Sequence, residues 1–190
     1  QEWAAIEKAA QGRRNPAFDL KSRVLSEWSA YLESGTESDD FRFRSCVALR
    51  VGNGVGHAHN DTLDLRLWAH GLTMAGDLGQ RPAYGRPGHM QTYVHNVVEV
   101  DGDGARRGNW FGYAWAPALF DAPGARYVRG ESTPPERHRD VKLYSRQTAL
   151  IDADDGKPSA AADPAKADMD PDVVTPSCYV FDVFRVSGGR

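Results

Sequence analysis

Thr62-Leu63-Asp64-Leu65-Arg66-Leu67-Trp68-Ala69 alternates apolar and polar residues with a period of two. That period belongs to a half-buried strand, with Leu63, Leu65 and Leu67 on one face. Similar runs recur from residue 41 onward. Residues 41–51 end at Gly52-Asn53-Gly54, and Gly71 turns into a run closed by Asp77. Residues 94–100 end at Asp101-Gly102, and residues 127–129, 142–151 and 177–186 complete the set. Short strands divided by Gly, Pro and Asp predict an all-β chain folded as a sandwich or barrel.

The rest of the chain is less β-like. Residues 1–12 read as a short helix stopped by Gly12. Val24, Leu25, Trp28, Tyr31 and Leu32 have helical spacing, although their aromatics also suit a strand. Residues 152–176, rich in Asp, Ala, Pro and Lys, are expected to form a solvated loop between two strands.

The chain's 190 residues suffice for one domain with a real core. A hydrophobic content of 41% against 26% charged residues is that of a globular chain. A net charge of −3 without a long basic run gives no footing for nucleic acid. No apolar run approaches the roughly 18–20 residues of a membrane-spanning helix. Cys46 and Cys178 are compatible with one disulfide or two buried thiols; without a CxxC spacing, an inert core role is favoured. The chain starts at Gln1 without a signal-peptide pattern and stops just after a strand-like run, so a processed or partial chain is expected.

Chemistry concentrates in Gly56-His57-Ala58-His59-Asn60-Asp61. On an extended strand, residues two apart share a face, so His57 and His59 would point together. Asp77 and His95 lie at or near the ends of further strand-like runs. His59, Asp77 and His95 offer two nitrogens and one oxygen, a set that suits tetrahedral Zn²⁺ with water as the fourth ligand. The plainer alternative is strand-end polar residues bonded to backbone or solvent. For an isolated His that alternative wins; for this group the two readings balance. His57 is open as a fourth ligand, a partner to a ligand or a free imidazole. Asp61 is open as a histidine-orienting carboxylate or a turn residue. Arg81-Pro82-Ala83-Tyr84-Gly85-Arg86-Pro87-Gly88-His89 forms a stiff loop joining Asp77 to His95. Tyr84 there is either an acid–base group or an exposed turn residue, with Arg81 and Arg86 as candidate anion binders.

These pieces resemble the β-sandwich domain of the heparinase II/III-like polysaccharide lyases, a group that includes oligoalginate lyases. The matching residues are Gly56-His57-Ala58-His59-Asn60-Asp61-Thr62-Leu63-Asp64-Leu65, Ala69-His70-Gly71, Gly76-Asp77-Leu78-Gly79, His95-Asn96-Val97-Val98-Glu99-Val100-Asp101-Gly102 and the run from Tyr179 to Gly189. Their order over residues 56–189 is more specific than any one of them.

The resemblance implies an antiparallel β-sandwich over residues 22–190. Residues 1–21 would be a remnant of a preceding helical toroid, and residues 22–33 a strand rather than a helix. It implies metal ligands at His59, Asp77 and His95, holding one mainly structural zinc. His57 would be a catalytic residue facing the substrate, and Tyr84 the catalytic tyrosine, with Tyr93 in reserve. Arg81 and Arg86 would bind substrate. The activity implied is β-elimination on a uronic-acid polysaccharide, in the periplasm or outside the cell, with the toroid supplying the other wall of the cleft. Two rivals stand beside it. One is a non-catalytic sandwich that binds glycan or supports a partner domain around a structural metal. The other is a cupin-like metalloenzyme, which ranks last because no Glu follows the His pair at cupin spacing.

Overall fold

A computed structural model of the chain describes residues 21–25, 28–35, 44–52, 59–77, 92–100, 113–133, 139–153 and 177–188. Among them lie nine strands in two antiparallel sheets. The first sheet orders β1 (Arg23–Leu25), β2 (Ser29–Ser34), β3 (Ser45–Arg50), β4 (Leu65–Ala69) and β5 (Leu72–Ala75) as consecutive neighbours. The second orders β6 (Ala114–Ala122), β7 (Ala125–Ser132), β8 (Val141–Asp152) and β9 (Cys178–Gly188) in the same way.

Alternation decides which face each strand buries. Ala30 pairs with Leu49, which pairs with Leu65; Leu32 pairs with Val47, which pairs with Leu67. These two rows point inward and meet Val128, Val141, Tyr144 and Leu150 of the second sheet. The result is an antiparallel β-sandwich with one apolar core. A polar latch also joins the sheets: Ser34 Oγ donates to Asp152 Oδ1 at 2.6 Å, and Arg126 pairs with the other carboxylate oxygen.

Arg23–Leu25 and Ser29–Ser34 are strands rather than parts of a helix. The period-two burial of Ala30, Leu32 and Ser34 prevails over the helical spacing of the aromatics. Residues 94–100 depart from the strand expected there. A 3-10 turn spans Thr92–Val94, and the chain then bends without entering either sheet. Side chains take the backbone bonds that a ladder would have made. Asn96 N–H donates to Asp64 Oδ1 at 2.9 Å, Arg146 donates to Asn96 O, and Tyr144 OH donates to Val98 O at 2.7 Å. Residues 62–64 likewise turn before β4 begins, with Leu63 at φ 64°.

Strand β6 had no counterpart in the sequence reading. Pro117 lies within it, where the register with β7 shifts between Trp115 and Ala118. β6 is an edge strand, and an edge tolerates a residue that cannot donate to a ladder. Of the expected loop at 152–176, residues 154–176 lie outside the described residues, as do residues 1–20. The stretch between β8 and β9 starts and ends together, with Ala153 N–H donating to Ser177 O at 2.9 Å. Cys46 and Cys178 are free thiols, and burial, with Glu33 adding to it, pushes Cys46 up to about 12.

Candidate metal centre

The site forms where the turn before β4, the residues after β5 and the bend at 95–97 come together. His59 precedes the turn, Asp77 follows β5, and His95 follows the 3-10 turn. Because β4 and β5 are antiparallel neighbours joined at His70-Gly71, the residues entering β4 and those leaving β5 share one end of the hairpin. His70 and Gly71 both have positive φ, which suits so tight a connection.

His59, Asp77 and His95 offer ligand atoms that all lie within 4.8 Å of one another. The side chains of His59 and His95 are 7% and 2% exposed, and that of Asp77 is 16% exposed. The two rings stand 5.1 Å apart, centroid to centroid, and tilted. His59 Nδ1 lies 3.2 Å from Asp77 Oδ1, yet the nitrogen is buried without a hydrogen-bond partner. The separation falls in range and the direction does not. His95 Nε2 is also buried and unpartnered.

Two orphaned buried imidazole nitrogens are costly unless something occupies their lone pairs. A divalent ion fits them. Zinc–ligand bonds of about 2.0–2.1 Å put tetrahedral ligand atoms ~3.3 Å apart, close to the observed His59–Asp77 separation.

The residues around the triad hold it in place. His95 Nδ1 faces Asp64 Oδ2 at 3.6 Å, long for a hydrogen bond but close for a charge contact. This leaves Nε2 on the side away from Asp64, the arrangement by which a carboxylate orients a metal-binding histidine. Burial alone would lower the pKa of His95; Asp64, then Asp61 and Asp77, carry it above its ordinary value. Burial pushes Asp64 up, but His95, the Asn96 N–H and Arg66 hold it below the usual carboxylate range. Asp61 moves the other way, raised by burial despite Arg50, His95 and Arg66.

Asp61 does not orient a histidine through a hydrogen bond among the described residues. Its carbonyl closes the turn to Asp64 N–H at 2.8 Å, and its carboxylate faces Arg66 and Arg50. The carboxylate that faces His95 Nδ1 is that of Asp64.

Two arginines that the sequence reading passed over bind the site together. Arg66 Nη2 donates to Asp77 Oδ2 at 2.6 Å and to Asp61 Oδ2 at 2.9 Å, while Nε donates to Asp64 Oδ2 at 3.3 Å. Burial opposes its charge, but Asp77, Asp61 and Asp64 outweigh that and raise its pKa. Arg146, buried in β8, donates to Leu63 O at 2.9 Å, to Asn96 O and to Asn96 Oδ1 at 3.1 Å. It also makes a two-point bond to Asp182, 2.8 Å on each arm. It thereby fixes the residue after His95 and the residue before Asp64 to the second sheet.

His57, Arg81, Tyr84 and Arg86 lie outside the described residues. Tyr93 is described and 63% exposed. Asn96, the residue after His95, is bound to Arg146 and Asp64.

No protein-family model matches the chain, and no curated protein matches it. Solved structures do share its fold. The crystal structure of heparan sulfate lyase HepC from Pedobacter heparinus matches with a TM-score of 0.54 and 16% identity, over 80% of this chain and 26% of that one. A HepC mutant gives a TM-score of 0.56 and 15% identity, over 79% and 26%. This chain thus spans about a quarter of the length of those lyases. At such identity the likeness is one of fold: a polysaccharide-lyase-like β-sandwich. Among the described residues, no helix is long and apolar enough to cross a membrane.

Proposed function

We propose that this chain is the sandwich portion of a heparinase II/III-like polysaccharide lyase that cleaves a uronic-acid polymer by β-elimination. The observation that carries the reading is the buried triad of His59, Asp77 and His95 with its two unpartnered ring nitrogens, set in a sandwich shared with heparan sulfate lyase structures. In this reading the triad holds one zinc. Bound there, the ion supplies a cross-link between three chain segments and is mainly structural.

The reaction removes the proton at C5 of a uronate and expels the glycosidic oxygen at C4. That proton is weakly acidic, because its loss adds negative charge beside a carboxylate. A hydrogen-bonding or cationic group at the carboxylate lowers the barrier. His57, two residues before His59, is assigned that task by the sequence resemblance. Tyr84 is assigned the proton transfer. A phenol of pKa near 10 is a poor base at neutral pH, so it needs cationic neighbours. Arg81 and Arg86 on the same loop fill that role and attract the polyanion locally, against the net charge of −3. A helical toroid in the full-length protein forms the opposing wall of the cleft. A polymeric acidic substrate places the protein in the periplasm or outside the cell.

The test is the ultraviolet absorbance of unsaturated uronate products, measured with the full-length protein on alginate, heparan sulfate and hyaluronan. Product from at least one polymer is expected, with most of it lost in His57→Ala and Tyr84→Phe while zinc content stays intact. A full-length protein that binds these polymers and releases no product is instead a non-catalytic glycan-binding sandwich.

A further inference from the structure

Arg66 stands where two groups of possible metal ligands meet. One is His59, Asp77 and His95; the other is Asp61, Asp64 and His95, whose ligand atoms also lie within 4.8 Å of one another. Three carboxylates this close form an oxygen-rich setting of the kind that attracts hard cations such as Ca²⁺. The guanidinium already lies among them. Its Nη2 is shared between Asp61 and Asp77, and its Nε reaches Asp64. Asp77 is thereby divided: Oδ2 receives Arg66, and Oδ1 faces His59. The donor set facing an ion is then rich in nitrogen, with a single oxygen from Asp77, and such a set suits zinc rather than calcium or magnesium.

We infer that Arg66 is the positioning residue that restricts this centre to one ion and makes it selective for zinc over hard divalent cations. It does so by holding Asp77 through one oxygen and by standing in for a second cation between Asp61 and Asp64. This rests on the metal reading of the triad proposed above and adds the source of its selectivity. Charge alone keeps a hard cation out but does not hold Asp77 in place for zinc. The planar fork reaches three carboxylates from fixed directions, which a lysine ammonium on a flexible stem does not reproduce.

The test uses the full-length protein, stripped of metal and titrated with Zn²⁺ and separately with Ca²⁺ by calorimetry and chelator competition. Wild type should bind one zinc and no calcium. Arg66→Gln should bind zinc about tenfold to a hundredfold more weakly, the usual effect of losing a partner of a metal ligand, and should gain calcium binding. Arg66→Lys should bind no calcium, yet remain about tenfold weaker for zinc. An Arg66→Gln protein with wild-type zinc affinity and no calcium binding overturns the inference and leaves the triad standing. Wild type that binds no zinc removes the triad reading, and this inference with it. Should Arg66→Gln fail to fold, Arg66→Lys carries the test alone, and wild-type zinc affinity in that variant overturns the role given to the fork.

Discussion

Arg146→Ala should destabilise the sandwich more than any surface substitution, and it should loosen the metal centre at the same time. The side chain is buried and makes five contacts to three partners: Leu63 O, Asn96 O, Asn96 Oδ1 and both oxygens of Asp182. Its guanidinium also lies 5.4 Å from the centroid of the Phe184 ring. Truncation strands two main-chain carbonyls at about 1 kcal/mol each, the low end for an unsatisfied buried acceptor. The Asp182 side chain is 25% exposed, so water partly replaces the lost arginine and that pair adds only about 1 kcal/mol. The expected loss is about 3 kcal/mol, a large part of the roughly 5–15 kcal/mol that holds a domain together. Urea unfolding of wild type and variant, both in excess chelator, isolates this loss from any metal linkage. Zinc affinity measured separately should fall, because Asn96 and with it His95 lose their anchor. A loss below about 1 kcal/mol, the ordinary effect of a point substitution, would refute the reasoning, since it would mean that the carbonyls find other partners.

Three further outcomes concern the packing, the latch and the triad. Gly130→Ala should cost about 1–3 kcal/mol by overpacking, because a Cβ there would stand 2.7 Å from Leu63 Cδ2 and 2.8 Å from Leu49 Cδ2; thermal denaturation reads it, and an unchanged midpoint contradicts it. Burial raises Asp152, but Arg126 and Ser34 outweigh it and hold its folded pKa below the ordinary value. Its stabilisation is therefore present above the unfolded carboxylate pKa of about 3.9 and is lost as pH falls through the lower folded value. Asp152→Asn should accordingly lower the urea midpoint at neutral pH, and the gap from wild type should close in acid; a gap that widens in acid reverses the sign. His59→Ala should remove zinc and lower the melting temperature together, whereas His57→Ala should leave both nearly intact; loss of zinc in His57→Ala would make His57 a ligand.

Much of the sandwich was legible because alternation is local. Leu63, Leu65 and Leu67 announced an inward face, and β8 and β9 could be read from their apolar content. Residues 94–100 misled for the same reason: Val94, Val97, Val98 and Val100 have the composition of a strand, but their backbone is claimed by Asp64, Arg146 and Tyr144 from distant segments. Composition cannot report partners that far away. Pro117 hid β6 by breaking the pattern at an edge. The triad was readable as residue types. Its supporting arginines were missed, although each left a signal. Arg66 lies two residues from Asp64 on the polar side of an alternating strand. Arg146 sits between Tyr144 and Thr148 on the buried side of β8, where a charge demands a partner. That partner, Asp182, is beside Thr148 in the β8–β9 register and accepts its hydroxyl at 2.8 Å.

The most direct test of the metal centre is elemental analysis of protein purified without chelator, paired with melting before and after metal removal. About one zinc per chain is expected, and chelation should lower the melting temperature, because an ion bound only by the folded state stabilises it. A protein that carries no zinc, takes none up from solution and melts at the same temperature with and without chelator would contradict the account.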